Sequence, residues 1–362
     1  MRKGCIALSV SYTCGESGLG GNHKYVFHMN FKTQMNSVKR ARRVRKRDSF
    51  EEESMPSNKM NFSYDPRVME KDTWIIQKIL AKGPESTLDE INEKTRRIIE
   101  TKSHMNYEPE TDAEKAQLLA YDSFGATGKK RMDLATKAIE IYPDCADAYV
   151  SLAELEHNTE KRLDLYRQGT EAGRRDLGEE IFSTEKGKFY GFLETRPFMR
   201  AYEGQGNTLW DLGREEEAVK VFEKLLELNP DDNQGNRYKL LTLYINNKNY
   251  DSALNLINLY DEDSANWLYS KAFIFLKKYG LAPQSKKALQ DAFESNIYVP
   301  AIIAETVKPA KDVQYITPGE IDEATAYLLS NVEIWANEPH FLKYLLEEFV
   351  EFMKKKTGSK HI

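Results

Sequence analysis

One spacing limits this chain more than any other feature. From Tyr202 to Pro230 a large, small, large order (Tyr202, Gly206, Leu209) is followed by a second set, Ala218, Phe222, Leu225 and Pro230. Residues three and four apart share one face of a helix, so the pattern describes two helices with a small residue where each crosses its neighbour closely. Asp211-Leu212-Gly213-Arg214 supplies the turn between them, and Gly213 is suited to the left-handed conformation that ends a helix. Pro230 stops the second helix. The same register predicts a unit at 112–145 with Ala135, Ala138 and Pro143, and another at 146–178 with Tyr149, Leu152, Ala153, Leu165, Gly169 and Ala172. A further unit at 234–265 has Leu240, Leu241, Tyr244, Ala253, Ile257 and Tyr260. The last, at 265–300, has Leu268, Ala272 and Phe275, an enlarged turn at 280–284, then Ala288, Ala292 and Pro300. One helical hairpin cannot bury its apolar face alone, whereas a stack of about three or more can.

This spacing resembles the tetratricopeptide repeat, a hairpin of about 34 residues. The expected fold is therefore all-α, a tetratricopeptide-repeat α-solenoid of about five helix pairs with flanking helices. An apolar helical pattern precedes the repeats: Val68, Trp74, Ile75, Ile79 and Leu80 follow Asp65-Pro66 and end at Gly83-Pro84. Ser86 is the expected cap of the next helix, with Asp89 at its third position and Leu88, Ile91, Ile98 and Ile99 on its inner side. After the repeats, Thr317-Pro318-Gly319 introduces a helix with Ala324, Tyr327, Leu328 and Trp335. Glu338-Pro339 introduces another with Phe341, Leu345, Phe349 and Phe352. These two are expected to cap the stack. The expected organisation is a basic, disordered tail at 1–64, N-terminal helices at 65–110, the solenoid at 111–300 and capping helices at 301–362.

The stretches Pro143-Asp-Cys-Ala-Asp-Ala-Tyr-Val-Ser-Leu-Ala-Glu154, Leu193-Glu-Thr-Arg-Pro-Phe-Met-Arg-Ala201, Leu228-Asn-Pro-Asp-Asp-Asn-Gln-Gly235 and Asn296-Ile-Tyr-Val-Pro300 lie outside the minimal repeat pattern. They resemble a family of bacterial tetratricopeptide proteins that is similar to the vertebrate "suppression of tumorigenicity seven" proteins. The resemblance implies an all-helical scaffold without established catalytic activity. The membrane-spanning segments of the vertebrate relatives and the Cys-rich metal module of some bacterial ones have no counterpart in this sequence.

Charge separates the chain into two parts. Residues 1–60 hold 12 basic and 5 acidic residues, and the whole chain carries −5, so the remainder carries −12. An acidic body lacks the footprint of a nucleic-acid binder. No apolar run reaches the ~18 residues of a membrane helix, and the expected location is cytoplasmic. Cys5, Cys14 and Cys145 are the three cysteines, too few for a disulfide framework or a Cys-rich metal site in the body. Cys14-Gly15-Glu16-Ser17-Gly18-Leu19-Gly20-Gly21-Asn22 lacks the lysine and hydroxyl of a phosphate loop. Cys5, Cys14, His23 and His28 lack paired zinc-ligand spacing. The run at 39–47 has seven cations in nine positions and reads as a solvated tail, with nucleic-acid tethering as the alternative. Met55, Met60 and Met69 stand just before the first helical pattern and suggest a start downstream of Met1.

No catalytic constellation emerges, and neither a cofactor nor a metal is expected. The expected function is a non-enzymatic scaffold whose partner, another protein, lies as a peptide or helix in the groove formed by the first helices of successive units. Val150, Glu154, Arg200, Glu203, Asn207, Trp210, Tyr238 and Thr242 are expected to face that groove. An insertion at 178–198 interrupts the period with Phe182, Phe189, Tyr190, Phe192 and Phe198 beside Glu194 and Arg196. The candidate protein-binding residues are therefore Glu194, Arg196, Arg200, Glu203, Asn207, Trp210 and Tyr238. The Lys and paired Asn of a carboxylate-clamping repeat domain are matched by Asn207 alone.

Overall fold

A proline one residue after an aspartate opens the first helix. In the computed structural model, which describes residues 65–83, 87–313 and 316–358, the Asp65 carboxylate accepts the Arg67 backbone N–H at 2.9 Å. Pro66 occupies the first turn, where a missing N–H costs no helical hydrogen bond. Helix α1 runs Pro66–Ala81. Helix α2, Leu88–Glu100, is capped by Thr87 and not by Ser86, which lies outside the described residues. Thr87 Oγ1 accepts the Glu90 N–H at 3.3 Å and Glu90 Oε2 accepts the Thr87 N–H at 2.9 Å, a reciprocal capping box. The expected inner side of α2 also requires correction. Leu88 is 73% exposed, Ile91 37% and Ile99 52%, because α2 neighbours α1 and the 3-10 turn Ser103–Asn106 but packs no apolar face onto a hairpin.

The disordered tail expected at 1–64, with the basic run at 39–47, the Gly-rich stretch at 14–22, the Cys5/Cys14/His23/His28 set and the candidate starts Met55 and Met60, lies outside the described residues. The chain divides into two compact units, one within Asn58–Leu240 and the other containing Leu241–Ile362. Every regular element among the described residues is helical.

In the first unit, α3 (Asp112–Phe124) pairs with α4 (Gly128–Ile141), and α5 (Ala146–Leu155) pairs with α6 (Thr159–Leu177). After the short α7 (Ile181–Thr184) and the 3-10 turns Phe189–Gly191 and Leu193–Thr195, α8 (Arg196–Asp211) pairs with α9 (Glu215–Leu228). The first helices of successive pairs touch one another, α3 to α5 and α5 to α8, while α4 packs on α5 and α6 on α8. This is tetratricopeptide solenoid packing, in which each hairpin buries the face its neighbour leaves open. Small residues permit it. A Cβ at Gly169 would lie 3.0 Å from Tyr149 Cβ and 3.2 Å from Ala201 Cβ, and one at Gly173 would lie 3.0 Å from Phe198 Cβ. Gly213 takes φ of 74° between α8 and α9, the left-handed turn that the repeat spacing predicts.

The inserted segment between α6 and α8 is folded onto the hairpin that follows. Phe182 packs against Phe189 and Phe198 with centroids 5.0 Å apart in each case, and Phe198 stacks on Tyr202 at 5.6 Å. The Gly187 N–H donates to Leu228 O at 3.1 Å, and Lys186 pairs with Glu227 at 2.6 Å.

Helix α10 (Asn236–Asn246) contains the boundary between the units. The second unit continues with α11 (Tyr250–Leu259), α12 (Ala265–Tyr279) and α13 (Pro283–Ser295). Then come α14 (Tyr298–Ile303), α15 (Ile321–Ala336) and α16 (Pro339–Thr357). Pro300, expected to close the last repeat, instead stands in the first turn of α14, where its ring meets no preceding helical carbonyl. The α12/α13 hairpin is covered by α15 and α16. Buried Glu323 on α15 accepts the Ala265 N–H at 2.9 Å, Asn296 Nδ2 at 2.9 Å and the Gly319 N–H at 2.8 Å, so one carboxylate caps α12 and ties it to the covering helix. Trp335 packs edge-on to Phe273 at 5.1 Å and donates to Tyr327 Oη at 2.8 Å.

The crossing at Gly206 predicts a measurable cost. A Cβ there would meet Val221 Cγ1 at 2.9 Å and the Phe222 ring at 3.0 Å, so Gly206→Leu is expected to destabilise the first unit by about 1–3 kcal/mol. A lower urea midpoint at unchanged slope checks this, and an unchanged midpoint contradicts it.

Candidate functional site

Helix α1 carries a stripe of residues spaced three and four apart: Arg67 and Val68, Glu70 and Lys71, Trp74 and Ile75, Lys78 and Ile79. That stripe lies on the first helices of the three hairpins in the first unit, the inner surface on which a groove is expected. Trp74 and Ile75 are each 5% exposed. They form one cluster with Tyr121 and Phe124 of α3, Val150 and Ala153 of α5, Tyr166 of α6, Leu193, and Ala201 of α8. Trp74 meets Tyr121 edge-on at 6.2 Å and Tyr107 at 6.1 Å. Val150, expected to face an open groove, is therefore covered by the chain's own helix.

Charge follows the same stripe. Arg67 donates to Glu154 on α5 at 2.7 Å and lies over the Phe124 ring at 3.7 Å. Lys71 pairs with Asp122 on α3, and Gln77 donates to Glu194 at 3.1 Å. The centre of the arrangement is Glu70, whose carboxylate accepts Arg200 at 2.9 Å, Arg196 at 3.0 Å and the Tyr121 hydroxyl at 3.0 Å. Arg200 also grips Asp147 with two parallel bonds, Nε to Oδ1 at 2.8 Å and an Nη to Oδ2 at 2.6 Å. Gln117 donates to Asp147 at 2.8 Å. The side chains of Arg200, Glu70 and Asp147 are 11%, 9% and 0% exposed.

Burial acts against the charge of Arg200, yet the Asp147 and Glu70 carboxylates hold its pKa well above the ordinary guanidinium value. Burial, together with the same two carboxylates, drives the Tyr121 hydroxyl far above its usual value, so it remains a donor. Burial and the Asp147 charge push the Cys145 thiol up to about 12.

The seven candidate binding residues fall into two groups. Glu194, Arg196 and Arg200 are joined to α1. Arg196 additionally donates to Tyr190 O at 3.0 Å and lies over the Tyr190 ring at 4.8 Å, while Glu194 pairs with Gln77, so these three do not converge on a shared reactive atom. Glu203, Asn207, Trp210 and Tyr238 form the second group, on α8 and α10. Glu203 accepts Lys239 at 2.5 Å and Gln234 at 2.6 Å. Arg237 lies over the Tyr238 ring at 4.8 Å. Asn207 and Trp210 are half-buried on α8.

Sequence reasoning missed Glu70, Tyr121 and Asp147. A signal existed in Glu70, a carboxylate four residues ahead of Trp74 on the apolar stripe of α1. Asp147, Arg196 and Arg200 all stand in the stretches that carry the family resemblance, but no spacing within those stretches marks the three as a set. Among the described residues, no group of His, Cys, Asp and Glu is placed to hold a metal ion, and no helix is long and apolar enough to cross a membrane.

Two expectations follow. Arg200→Ala leaves two buried carboxylates without their cation and is expected to cost about 3–5 kcal/mol, against about 0.2–1 kcal/mol for Lys239→Ala at the more open Glu203 pair. Equal shifts in urea midpoint contradict the central role of Arg200. Cys145 is expected to resist iodoacetamide at pH 8 in the native chain and to react in urea. Mass spectrometry of its peptide reads this, and native labelling at the rate of a free thiol contradicts it.

A family model for the tetratricopeptide repeat matches residues 200–232, the α8/α9 hairpin. The crystal structure of YrrB, described as a TPR protein with an unusual peptide-binding site, is similar at 17% identity, covering 59% of this chain and 95% of its own, with a TM-score of 0.38. No curated protein matches the chain.

Proposed function

We propose that this chain is a non-enzymatic protein-interaction scaffold of the tetratricopeptide type, acting in the cytoplasm and taking a peptide or helix of another protein along the first helices of its repeats. The relationship to the bacterial relatives of the "suppression of tumorigenicity seven" family is part of the same proposal and rests on the sequence stretches quoted above. One observation carries the reading: the inner surface of the first unit already accommodates an α-helix, α1, through an aromatic anchor and matched charges. A surface that seats one amphipathic helix by its i, i+3, i+4 and i+7 side chains has the form of a helix-in-groove site.

Glu203, Asn207, Trp210 and Tyr238 are the candidate contacts for a partner that leaves α1 in place. Arg196, Arg200 and Glu194 serve a partner that replaces it. The test is site-specific photocrosslinking in native lysate from the full chain, with the crosslinker at Trp210 or Tyr238 and a control at exposed Lys220 on α9. The expected result is one recurrent protein adduct at the first two positions and none at the third. The same adducts at all three positions, or none anywhere, overturn the reading.

A further inference from the structure

The contacts of α1 describe more than a packed helix. We propose that the inner face of the first unit recognises a helix of another protein that carries a carboxylate one turn ahead of a tryptophan and an arginine three residues before the carboxylate. Helix α1, which has that chemistry, is the intramolecular stand-in that the partner displaces. This rests on the scaffold reading above and names both the partner chemistry and the regulation of the site.

The receiving surface sets the requirement. Arg196, Arg200 and Tyr121 converge on one carboxylate, that of Glu70. Arg200 is fixed from behind by the fully buried Asp147, so the remaining guanidinium donor points to where Glu70 lies. A helix that covers this face without a carboxylate buries the Arg196 guanidinium, the outer donor of Arg200 and the Tyr121 hydroxyl without the acceptor that Glu70 supplies. An incoming helix must therefore bring a carboxylate. One helical turn further, the apolar cluster takes the Trp74 ring. In the other direction, Phe124 and Glu154 form a seat for a guanidinium, occupied by Arg67. The order arginine, carboxylate, tryptophan at spacings of three and four matches one helix face.

The tether of α1 favours exchange. Its continuation, α2, has no buried residue: Leu88 and Ile99 on it are 73% and 52% exposed, and Met105 in the 3-10 turn that follows is 72% exposed. Elements with few buried contacts open locally at lower cost than the core. Tethering also decides the occupant. An attached helix competes at an effective concentration on the order of millimolar, so α1 of a second copy, which binds no better, loses at micromolar protein. A helix of the same chemistry with tighter contacts does not.

The probe is a fluorescein-labelled synthetic peptide of residues 65–83, measured by anisotropy against the full chain and against the full chain carrying Glu70→Arg and Trp74→Ala, which detaches α1. The expected result is at least about 10-fold tighter binding by the substituted chain than by the unaltered one. Peptides with Glu70→Gln or Trp74→Ala should lose about 10-fold or more against the same substituted chain. Equal affinity of both chains, or no binding to a substituted chain that still melts cooperatively, overturns the inference. Dimerisation of the substituted chain upon peptide addition also counts against it. Hydrogen exchange on the unaltered chain tests displacement without any substitution: α1 amides are expected to exchange at least about 10-fold faster than those of α5 and α8, and equal protection overturns the exchange step. If the peptide fails while crosslinks at Trp210 persist, the displacement idea falls alone. If the peptide binds while no crosslinks form, the scaffold reading falls, and the inference of a partner falls with it, leaving α1 as a structural helix that rebinds its own surface.

Discussion

The first unit depends on one buried guanidinium. Arg200 reaches from α8 to Asp147 on α5 and to Glu70 on α1, so a single cation connects the third hairpin, the second hairpin and the N-terminal helix. Asp147 has no exposure to water, and an unpaired carboxylate at such depth would carry a desolvation penalty of several kcal/mol. The pair is therefore less a source of net stability than a condition on geometry. The hairpins must be stacked in this register, and α1 must lie in this orientation, or a charge is left without a counterpart. Gln117 and Tyr121 on α3 extend the same condition to the first hairpin.

Apolar packing works in the opposite way. Trp74, Ile75, Tyr121, Phe124 and Val150 gain by leaving water wherever they are brought together, and that gain is not strongly directional. Several orientations of an amphipathic helix could cover such a patch. The charge pairs Arg67 with Glu154, Lys71 with Asp122 and Glu70 with the two arginines admit one. The hydrophobic contacts supply most of the attraction, and the polar contacts select the register. A surface built this way discriminates among helices by charge order, since a helix of wrong order buries unpaired groups.

The second unit closes its stack with a different device. Glu323 satisfies donors from α12, from the Asn296 side chain and from Gly319. The Tyr327 and Trp335 rings of α15 cover the apolar face of α12. In each unit, a buried carboxylate fixes a covering helix that the repeat spacing does not itself specify.

Much of the local structure was legible in the chain. The helix pairs follow from residues three and four apart, the left-handed turn from Gly213, and the close crossings from small residues such as Gly169 and Gly206. Each of these depends on neighbours within a few positions or one repeat, and short-range geometry writes itself into spacing. The N-cap was misplaced by one residue because Ser86 and Thr87 are chemically equivalent caps, and backbone conformation chooses between them. The exposed face of α2 and the occupied groove were not legible. Glu70 and Arg200 are 130 positions apart, and no periodicity links them. Amphipathic pattern states that a helix has a face to cover, whereas tertiary structure decides which surface covers it. Residue spacing is enough to specify a chain of helical hairpins with a groove-forming surface. That the chain lays its own helix in that groove emerges in three dimensions alone, because it rests on long-range pairing of buried charges that local spacing does not encode.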